Sequence, residues 1–315
     1  MKLSILVTCY NAEDTVERAI LSATDCEWPY GDKEILVCND CSTDGSGDIL
    51  RSLQAKFGFR LIENETNELY AGSLNRLIKH ATGDFMLIND DDDESVRDRA
   101  IRQFERAKES GVDLKEGSWL CYGGRDVYQS DVMIGRRIPI GAGANPPSGP
   151  MVADFLLWNS IGVAGYNWGD FGSCTLFAPL QFIRKVGRFD PTFRRGAEWD
   201  YAVRSAQKGA TFLGSRETVI KQHITSGNDK KRLNKGLIAH IKLRAKHIEY
   251  LSERKKITVS LVDAVYRAGC DSSDNFSKFF HSIKKVILRG LLISLSPQHI
   301  GTSHVRKLIQ KIGFK

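Results

Sequence analysis

Short apolar runs alternate with amphipathic stretches through the first ninety residues of the chain. LSILVT at 3–8 is rich in β-formers and has the length of a buried strand, while EDTVERAILSA at 13–23 spaces Val16, Ala19, Ile20 and Ala23 as a helix would. The order then repeats. KEILVCND at 33–40 reads as a strand, STDGS as a turn and GDILRSLQAKF as a helix; FRLIEN at 59–64 is a strand, LYAGSLNRLIKHA a helix, and DFMLIND at 84–90 a fourth strand. Such alternation predicts an α/β fold with a mostly parallel central sheet flanked by helices. In sheets of that kind ligands sit beyond the C-terminal ends of the strands. The polar clusters YN, NDCSTD and NDDDD all fall at those ends.

Further along, the pattern predicts an amphipathic helix over 99–112 and a strand over 119–128. PIGAGANPPSGP at 139–150 reads as a Gly/Pro-rich loop long enough to be mobile. The last dozen residues of GRFDPTFRRGAEWDYAVRSAQKG read as a helix, and FLGSRETVIKQH at 212–223 contains a short strand. From about 230 onward the pattern is helical and basic. The expected division is therefore a catalytic domain over 1–228 and a basic helical C-terminal region over 229–315.

Composition narrows the class. The 315 residues are 42% hydrophobic and 26% charged, which excludes a collagen-like or mostly disordered chain and a small disulfide scaffold. No stretch approaches the roughly 20 apolar residues of a membrane span; VILRGLLISL at 286–295 is short and carries Arg289. The N-terminus reads as a first strand and not as a signal peptide, so a cytoplasmic location is expected. Seven scattered cysteines agree with reduced thiols. Cys38 and Cys41, in CNDC, have the spacing of a redox pair, although the tetrapeptide has a second explanation given below.

Charge divides the chain. The formal net charge is +7, but residues 230–315 carry +14 and residues 1–229 carry −7. An acidic body with a basic appendage points to an anionic partner, either nucleic acid or an anionic membrane surface. SIKKVILRGLLISL, with Lys284, Lys285 and Arg289 beside Ile and Leu, suits an interfacial helix on the inner face of the cytoplasmic membrane. A nucleic-acid-binding protein led by this tail would leave the acidic cluster unexplained, and no RNP, KH or zinc-finger pattern is present. No nucleic-acid partner is expected.

The acidic cluster is the most chemical feature. Asp90, Asp91, Asp92 and Asp93 follow the strand FMLIN, and packed carboxylates repel one another. A divalent cation relieves that repulsion, and hard oxygen ligands suit Mn²⁺ or Mg²⁺ shared with substrate phosphates. The competing reading is a solvated acidic turn ahead of a helix whose positive end favours Asp93 and Glu94.

Four segments in order, SILVTCYNAEDTVERAILSA, EILVCNDCSTDGS, GDFMLINDDDDESVRDR and GRFDPTFRRGAEWD, resemble the family 2 glycosyltransferases of GT-A fold over roughly residues 1–228. The resemblance implies an inverting, metal-dependent enzyme that moves a sugar from a UDP-sugar to a saccharide or lipid-linked acceptor of the cell surface. By the same resemblance Thr8 and Tyr10 lie against the nucleobase, Glu13 begins the following helix, and Asp40 hydrogen-bonds the uracil. That role for Asp40 accounts for CNDC without redox chemistry. Asp92 becomes the direct metal ligand, Asp90 or Asp91 faces ribose and donor sugar, Asn75 belongs to the nucleotide-sugar site, and His223 completes the metal and diphosphate site. Glu198 takes the position of the general base that accepts the acceptor hydroxyl proton.

The chain also departs from the family pattern. Ala197 replaces the first acid before Trp199, which makes Asp200 a rival base; Asn39 replaces an Asp, and Leu74 stands where an Arg often precedes Asn75. Trp158, Tyr166, Trp168 and Phe171 are candidates for a sugar-stacking cleft or for ordinary core. A nucleotidyltransferase of similar architecture is the nearest alternative, disfavoured because no Gly-rich, Arg- and Lys-bearing loop follows the first strand.

Overall fold

The computed structural model describes residues 1–224 and 233–270. They form two compact units. Of the described residues, the first contains 1–152 and 163–224, and the second contains 153–162 and 233–270.

The first unit is built on β1 (Leu3–Cys9), β2 (Lys33–Asn39), β3 (Arg60–Glu63) and β4 (Phe85–Asp90), joined by α1 (Val16–Thr24), α2 (Ser46–Phe57) and α3 (Leu69–His80). β1 pairs in parallel with both β2 and β4, and β2 with β3. The strands are nearly continuous apolar runs because helices cover both faces of a parallel sheet. Leu3, Ile5 and Val7 of β1 pack with Val37, Phe85, Leu87, Val16 and Ile20 in one core cluster. Gly58 ends α2 at φ +70°, a left-handed conformation that a side chain would strain.

Beyond β4 the sheet stops being parallel. The strand order is β3-β2-β1-β4-β8-β6-β9-β5, with β5 (Asp93–Ser95), β6 (Trp119–Gln129), β8 (Phe177–Pro179) and β9 (Thr211–His223), and β7 (Val132–Arg137) pairs with β6 outside that path. β8 runs antiparallel to β4 and β6, and β5 antiparallel to β9, whereas β6 and β9 are parallel. The sheet is thus parallel over its first four strands and mixed over the rest. The helix α4 (Arg99–Glu109) backs this half, with α6 (Leu180–Val186) and α7 (Ala197–Gln207) following β8.

The loop 139–150 differs from its expected mobility. Ile140, Gly141 and Ala142 are buried. Arg106 donates to the carbonyls of Gly141 and Gly143, Arg216 to that of Ala142, and Ser148 bridges to Thr211. Guanidinium groups satisfy carbonyls that a glycine- and proline-rich segment cannot pair within itself.

In the second unit, α8 (Leu233–Lys246), α9 (Ile248–Glu253) and α10 (Ile257–Cys270) follow α5 (Pro150–Leu157), whose later residues belong to this unit. Arg244 is buried and donates to Asp263, to the Ser260 carbonyl and to the His240 carbonyl; Arg267 shares Asp263. Two of the basic residues counted toward an anionic partner therefore hold this unit together from inside. Trp158 packs against Tyr250 here, at 5.9 Å between ring centroids. The run containing Lys284, Lys285 and Arg289 lies outside the described residues. Among those described, no helix is long and apolar enough to cross a membrane.

Candidate active site

The strand register brings the three polar clusters to one edge. Thr8 lies level with Cys38 on one side and Asp90 on the other. Past those tips the chain is tied loop to loop. The amide of Tyr10 donates to Asp91 Oδ2 (2.9 Å), that of Asn11 to Ser42 Oγ, and that of Ala12 to Ser46 Oγ. Thr43 donates back to Asn11 Oδ1, and Gly45 to Glu13 Oε2 at 2.7 Å. Glu13 is thus a strut between two loops, three residues ahead of α1, and not the first residue of the helix. The ring of Tyr10 is 48% exposed, open to a stacking partner.

Asp40 is buried behind this edge. Its Oδ1 accepts from Asn64 Nδ2 (2.6 Å) and from the Glu68 amide (2.8 Å), so it fixes the end of β3 and the start of α3. Cys38 and Cys41 are free thiols. Burial pushes the Cys38 thiol up to about 11, and its sulfur donates to Asn64 Oδ1. Cys41 donates instead to the Glu65 carbonyl. Neither behaves as half of a redox pair.

The aspartate run is not a solvated turn. Asp90 ends β4, Asp93 begins β5, and α4 starts only at Arg99; Asp93 is 1% exposed. Burial, then repulsion from Asp93, Asp92 and Asp91, drives the Asp90 carboxyl far above the usual range. Asp91 is pushed up to about 6, chiefly by burial. Ligand atoms of Asp90, Asp93 and Cys174 lie within 4.8 Å of one another, and Asp90 Oδ1 is buried without a hydrogen-bond partner. Hard carboxylate oxygens in repulsion suit a divalent cation of the Mn²⁺ or Mg²⁺ type, whereas the Cys174 thiol, held protonated by burial, does not.

Asp92 and His223 are not members of that trio. The Asp92 carbonyl accepts from Arg18 at 2.9 Å. β5 and β9 pair Asp93 with Gln222, so carrying that antiparallel register one residue further sets Asp92 opposite His223. The His223 ring stacks on Tyr128 at 5.6 Å, with Nε2 3.9 Å from Glu94 Oε2. Burial and the Arg18 charge lower its pKa, which keeps the imidazole neutral and able to ligate.

The two rival bases occupy different surroundings. Glu198 lies in the first turn of α7, half-buried, and burial raises its carboxyl pKa; its charge in turn adds to the upward shifts of the Asp90 carboxyl and the Tyr70 hydroxyl. Asp200 is fully buried and paired to Arg204 Nε at 2.9 Å, and Arg204 also donates to the carbonyls of Val186 and Arg188. Asp200 is a brace between α7 and the end of α6. Asn75 is likewise committed elsewhere. Its amide nitrogen donates to the Phe189 carbonyl and its oxygen accepts from the Phe189 amide, both at 2.8 Å, which leaves it clamping backbone instead of facing a nucleotide. The four candidate aromatics also separate. Phe171 packs against Trp199 (4.8 Å), Tyr166 pairs with Trp168, and Trp158 belongs to the second unit.

Several residues at this edge carried no signal in sequence. Arg99 is fully buried behind the aspartates and donates to the Ile88 carbonyl, Ser95 Oγ, Asn89 Oδ1 and Gln103 Oε1. Arg125 pairs with Asp170 and reaches Gln222 and Cys174. Asp93 was visible as the fourth of the run; only the strand it starts reveals its burial.

Residues 4–138 match the family described as glycosyl transferase family 2. The chain is 38% identical over 104 residues to the putative glycosyltransferase EpsE of Bacillus subtilis, a match covering 32% of this chain and 37% of that protein. It is 33% identical over 132 residues to the poly(ribitol-phosphate) beta-glucosyltransferase of Bacillus spizizenii, covering 41% of this chain and 21% of that one. The matches therefore span well under half of these relatives' own lengths. Among solved structures, Staphylococcus aureus TarS 1-349 in complex with UDP superposes with a TM-score of 0.54 at 16% identity, over 92% of this chain and 89% of that one, a likeness of fold. The likeness to glycosyl transferase family 2 therefore lies in residues 4–138, the stretch that holds the strand tips and the aspartate run.

Proposed function

We propose that this protein is an inverting glycosyltransferase that moves a sugar from a UDP-sugar to a saccharide or lipid-linked acceptor in cell-surface polysaccharide synthesis. The observation that carries the proposal is the buried, unbonded Asp90 Oδ1 within the aspartate cluster at the tip of β4, with the half-buried Glu198 close enough for its charge to act on Asp90. Glu198 is an acid held ready to take a proton; the aspartates form a strongly negative edge suited to a cation and its phosphate ligands. Relatives support the class. Staphylococcus aureus TarS 1-349, of like fold, has been solved with UDP and with UDP-GlcNAc, and a relative is named as a poly(ribitol-phosphate) beta-glucosyltransferase.

In this reading Tyr10 offers its exposed ring to the uracil, Thr8 lines the base, and Asp40 accepts from it. Asp90 and Asp91 face ribose and donor sugar. Asp92, with His223 opposite it in register and Asp90 and Asp93 nearby, would hold Mn²⁺ or Mg²⁺. When bound, that cation neutralises charge on the departing diphosphate. Glu198 accepts the proton of the attacking acceptor hydroxyl. The hydroxyl oxygen bonds to the anomeric carbon as the bond to the diphosphate oxygen breaks, so one displacement inverts the centre. The acceptor is presented at an anionic membrane surface on the cytoplasmic side.

A screen of nucleotide-sugars with Mn²⁺, scored by free nucleotide and by a mass-shifted acceptor, tests this. UDP released together with a glycosylated product is expected. Release of pyrophosphate, or UDP stabilisation that is indifferent to Mn²⁺, would overturn it.

A further inference from the structure

Cys174 has no part in the proposed reaction, yet the fold delivers its sulfur to the aspartates. It lies in the short turn Ser173–Thr175 that leads into β8. β8 pairs antiparallel with β4, Phe177 opposite Leu87, and carrying that register three residues further sets Cys174 level with Asp90. Asp93, the first residue of β5, supplies the third group, and ligand atoms of all three lie within 4.8 Å of one another. Cys174 is 3% exposed and Asp93 1%, while Asp90 Oδ1 is buried without a hydrogen-bond partner. A buried cysteine is ordinarily a small apolar filler. Two carboxylates beside its sulfur are not an apolar setting.

The charges around the sulfur are balanced against one another. Burial, Asp93 and Asp90 hold the proton on the thiol, while Arg125 and Arg99 pull the other way. Arg125 Nη1 stands 3.9 Å from Cys174 Sγ, and Arg99 is fully buried behind the aspartates. A dication between the carboxylates cancels the part that opposes ionisation, and a thiophilic one takes the place of the sulfur proton. Mg²⁺ and Mn²⁺ prefer oxygen ligands and leave the thiol as it is. Zn²⁺ accepts three protein ligands of mixed oxygen and sulfur type and keeps a fourth position open. Its bonds of about 2.0–2.3 Å set ligand atoms roughly 3.5 Å apart, so the trio needs a shift of about 1 Å to close on one ion.

We infer that Asp90, Asp93 and Cys174 form a site for a thiophilic divalent ion of the Zn²⁺ type, separate from the hard cation that the proposed reaction gives to Asp92 and His223. On binding, the Sγ proton leaves to solvent and the sulfur bonds to the ion, with nothing oxidised or reduced. Binding itself needs no transferase chemistry. Its consequence rests on that reading: an ion held here engages Asp90 and inhibits transfer.

The test is Co²⁺ titration of the full-length protein, stripped with EDTA and desalted. Co²⁺ stands in for Zn²⁺, and a cobalt–thiolate bond gives a near-ultraviolet charge-transfer band that oxygen ligands do not. One equivalent is expected to raise the band, and Zn²⁺ to bleach it by displacement. Cys174→Ser should lose the band and bind Zn²⁺ at least tenfold more weakly. Asp93→Asn, which keeps the sulfur, should weaken Co²⁺ binding at least tenfold and serves should the serine variant fail to fold. Cys38→Ser, Cys41→Ser should keep the band in full. No band in the parent overturns the inference, as does a band that survives Cys174→Ser. Loss confined to the Cys38→Ser, Cys41→Ser variant places the thiophilic site at CNDC, and the inference fails. Mn²⁺-dependent stabilisation by UDP, measured on the same proteins, reports on the proposed reaction separately, because its absence would leave the cobalt band untouched.

Discussion

Exchanging the fates of two neighbouring carboxylates tests the site directly. Asp200→Asn keeps the shape of the side chain and removes its charge, leaving the largely buried Arg204 with no anionic partner among the described contacts, only the Tyr201 ring and the carbonyls of Val186 and Arg188. Removing one partner of a buried ion pair costs about 3–5 kcal/mol, and the partial exposure of Arg204, 19%, puts the expectation near the low end, about 3 kcal/mol. At about 2–4 °C per kcal/mol for a domain of this size, the melting temperature should fall by about 6–12 °C. Glu198→Gln should behave in the opposite way. Burial raises the Glu198 pKa, so the folded state holds that proton more tightly than the unfolded chain does. Stability from this group is then complete below the unfolded value and declines as pH rises through the folded value. The glutamine removes that penalty, so the variant should melt at or slightly above the parent at neutral pH. Losing a general base should slow transfer by about 10²–10⁴-fold while UDP binding persists. In the parent, transfer should rise with pH through a pKa above the ordinary carboxylate range. Calorimetry, UDP titration and product formation on both variants decide the matter. An Asp200→Asn protein that melts like the parent but is inactive, beside a fully active Glu198→Gln protein, would refute the assignment.

Asn75→Ala strips two buried hydrogen bonds from the Phe189 backbone and should cost about 2–4 kcal/mol in urea unfolding, with UDP affinity unchanged where the protein is folded. Asp92→Ala, or EDTA added to the parent, should abolish Mn²⁺-dependent thermal stabilisation by UDP, and an undiminished shift would remove Asp92 from the metal site. The parent protein should turn over at the same rate with and without dithiothreitol, because the Cys38 thiol is held up near 11 and the Cys38 and Cys41 sulfurs donate to fixed acceptors.

The parallel half of the fold was legible because its signal is local. A strand buried on both faces is a continuous apolar run, and the helices between show their own period, so β1 to β4 and α1 to α3 fall where the pattern puts them. The mixed half depends on pairing across long separations. β5 is spelled Asp-Glu-Ser, with no β-former in it, and is a strand only because β9 lies beside it, more than a hundred residues away in sequence. The same pairing buries Asp93 and brings the end of β9, with His223, to the aspartates. The partners of Asn75 and Asp200 are out of sight in sequence for a related reason. Asn and Asp suit a polar site, but both are spent on backbone or ionic partners that only the fold brings near. The 139–150 loop looked free because its carbonyl partners, Arg106 and Arg216, are distant in sequence.

Those partners also explain how an acidic edge survives folding. Arg99 is fully buried behind Asp90 and Asp93, and its charge lowers the cost of placing them there, yet its donors go to Ile88, Ser95, Asn89 and Gln103. Every one of those acceptors is uncharged. Burial drags its own pKa down to about 10, so it remains a cation throughout the physiological range. A guanidinium bound directly to the aspartates would have closed the site with an internal ion pair. Directed instead at backbone and amide oxygens, it stabilises the carboxylates through space while Asp90 Oδ1 stays unbonded. The fold thereby sets a buried cation beside Asp90 and Asp93 without bonding Asp90 Oδ1, and in the proposed reading that oxygen is free to meet a divalent cation carried with an anionic diphosphate.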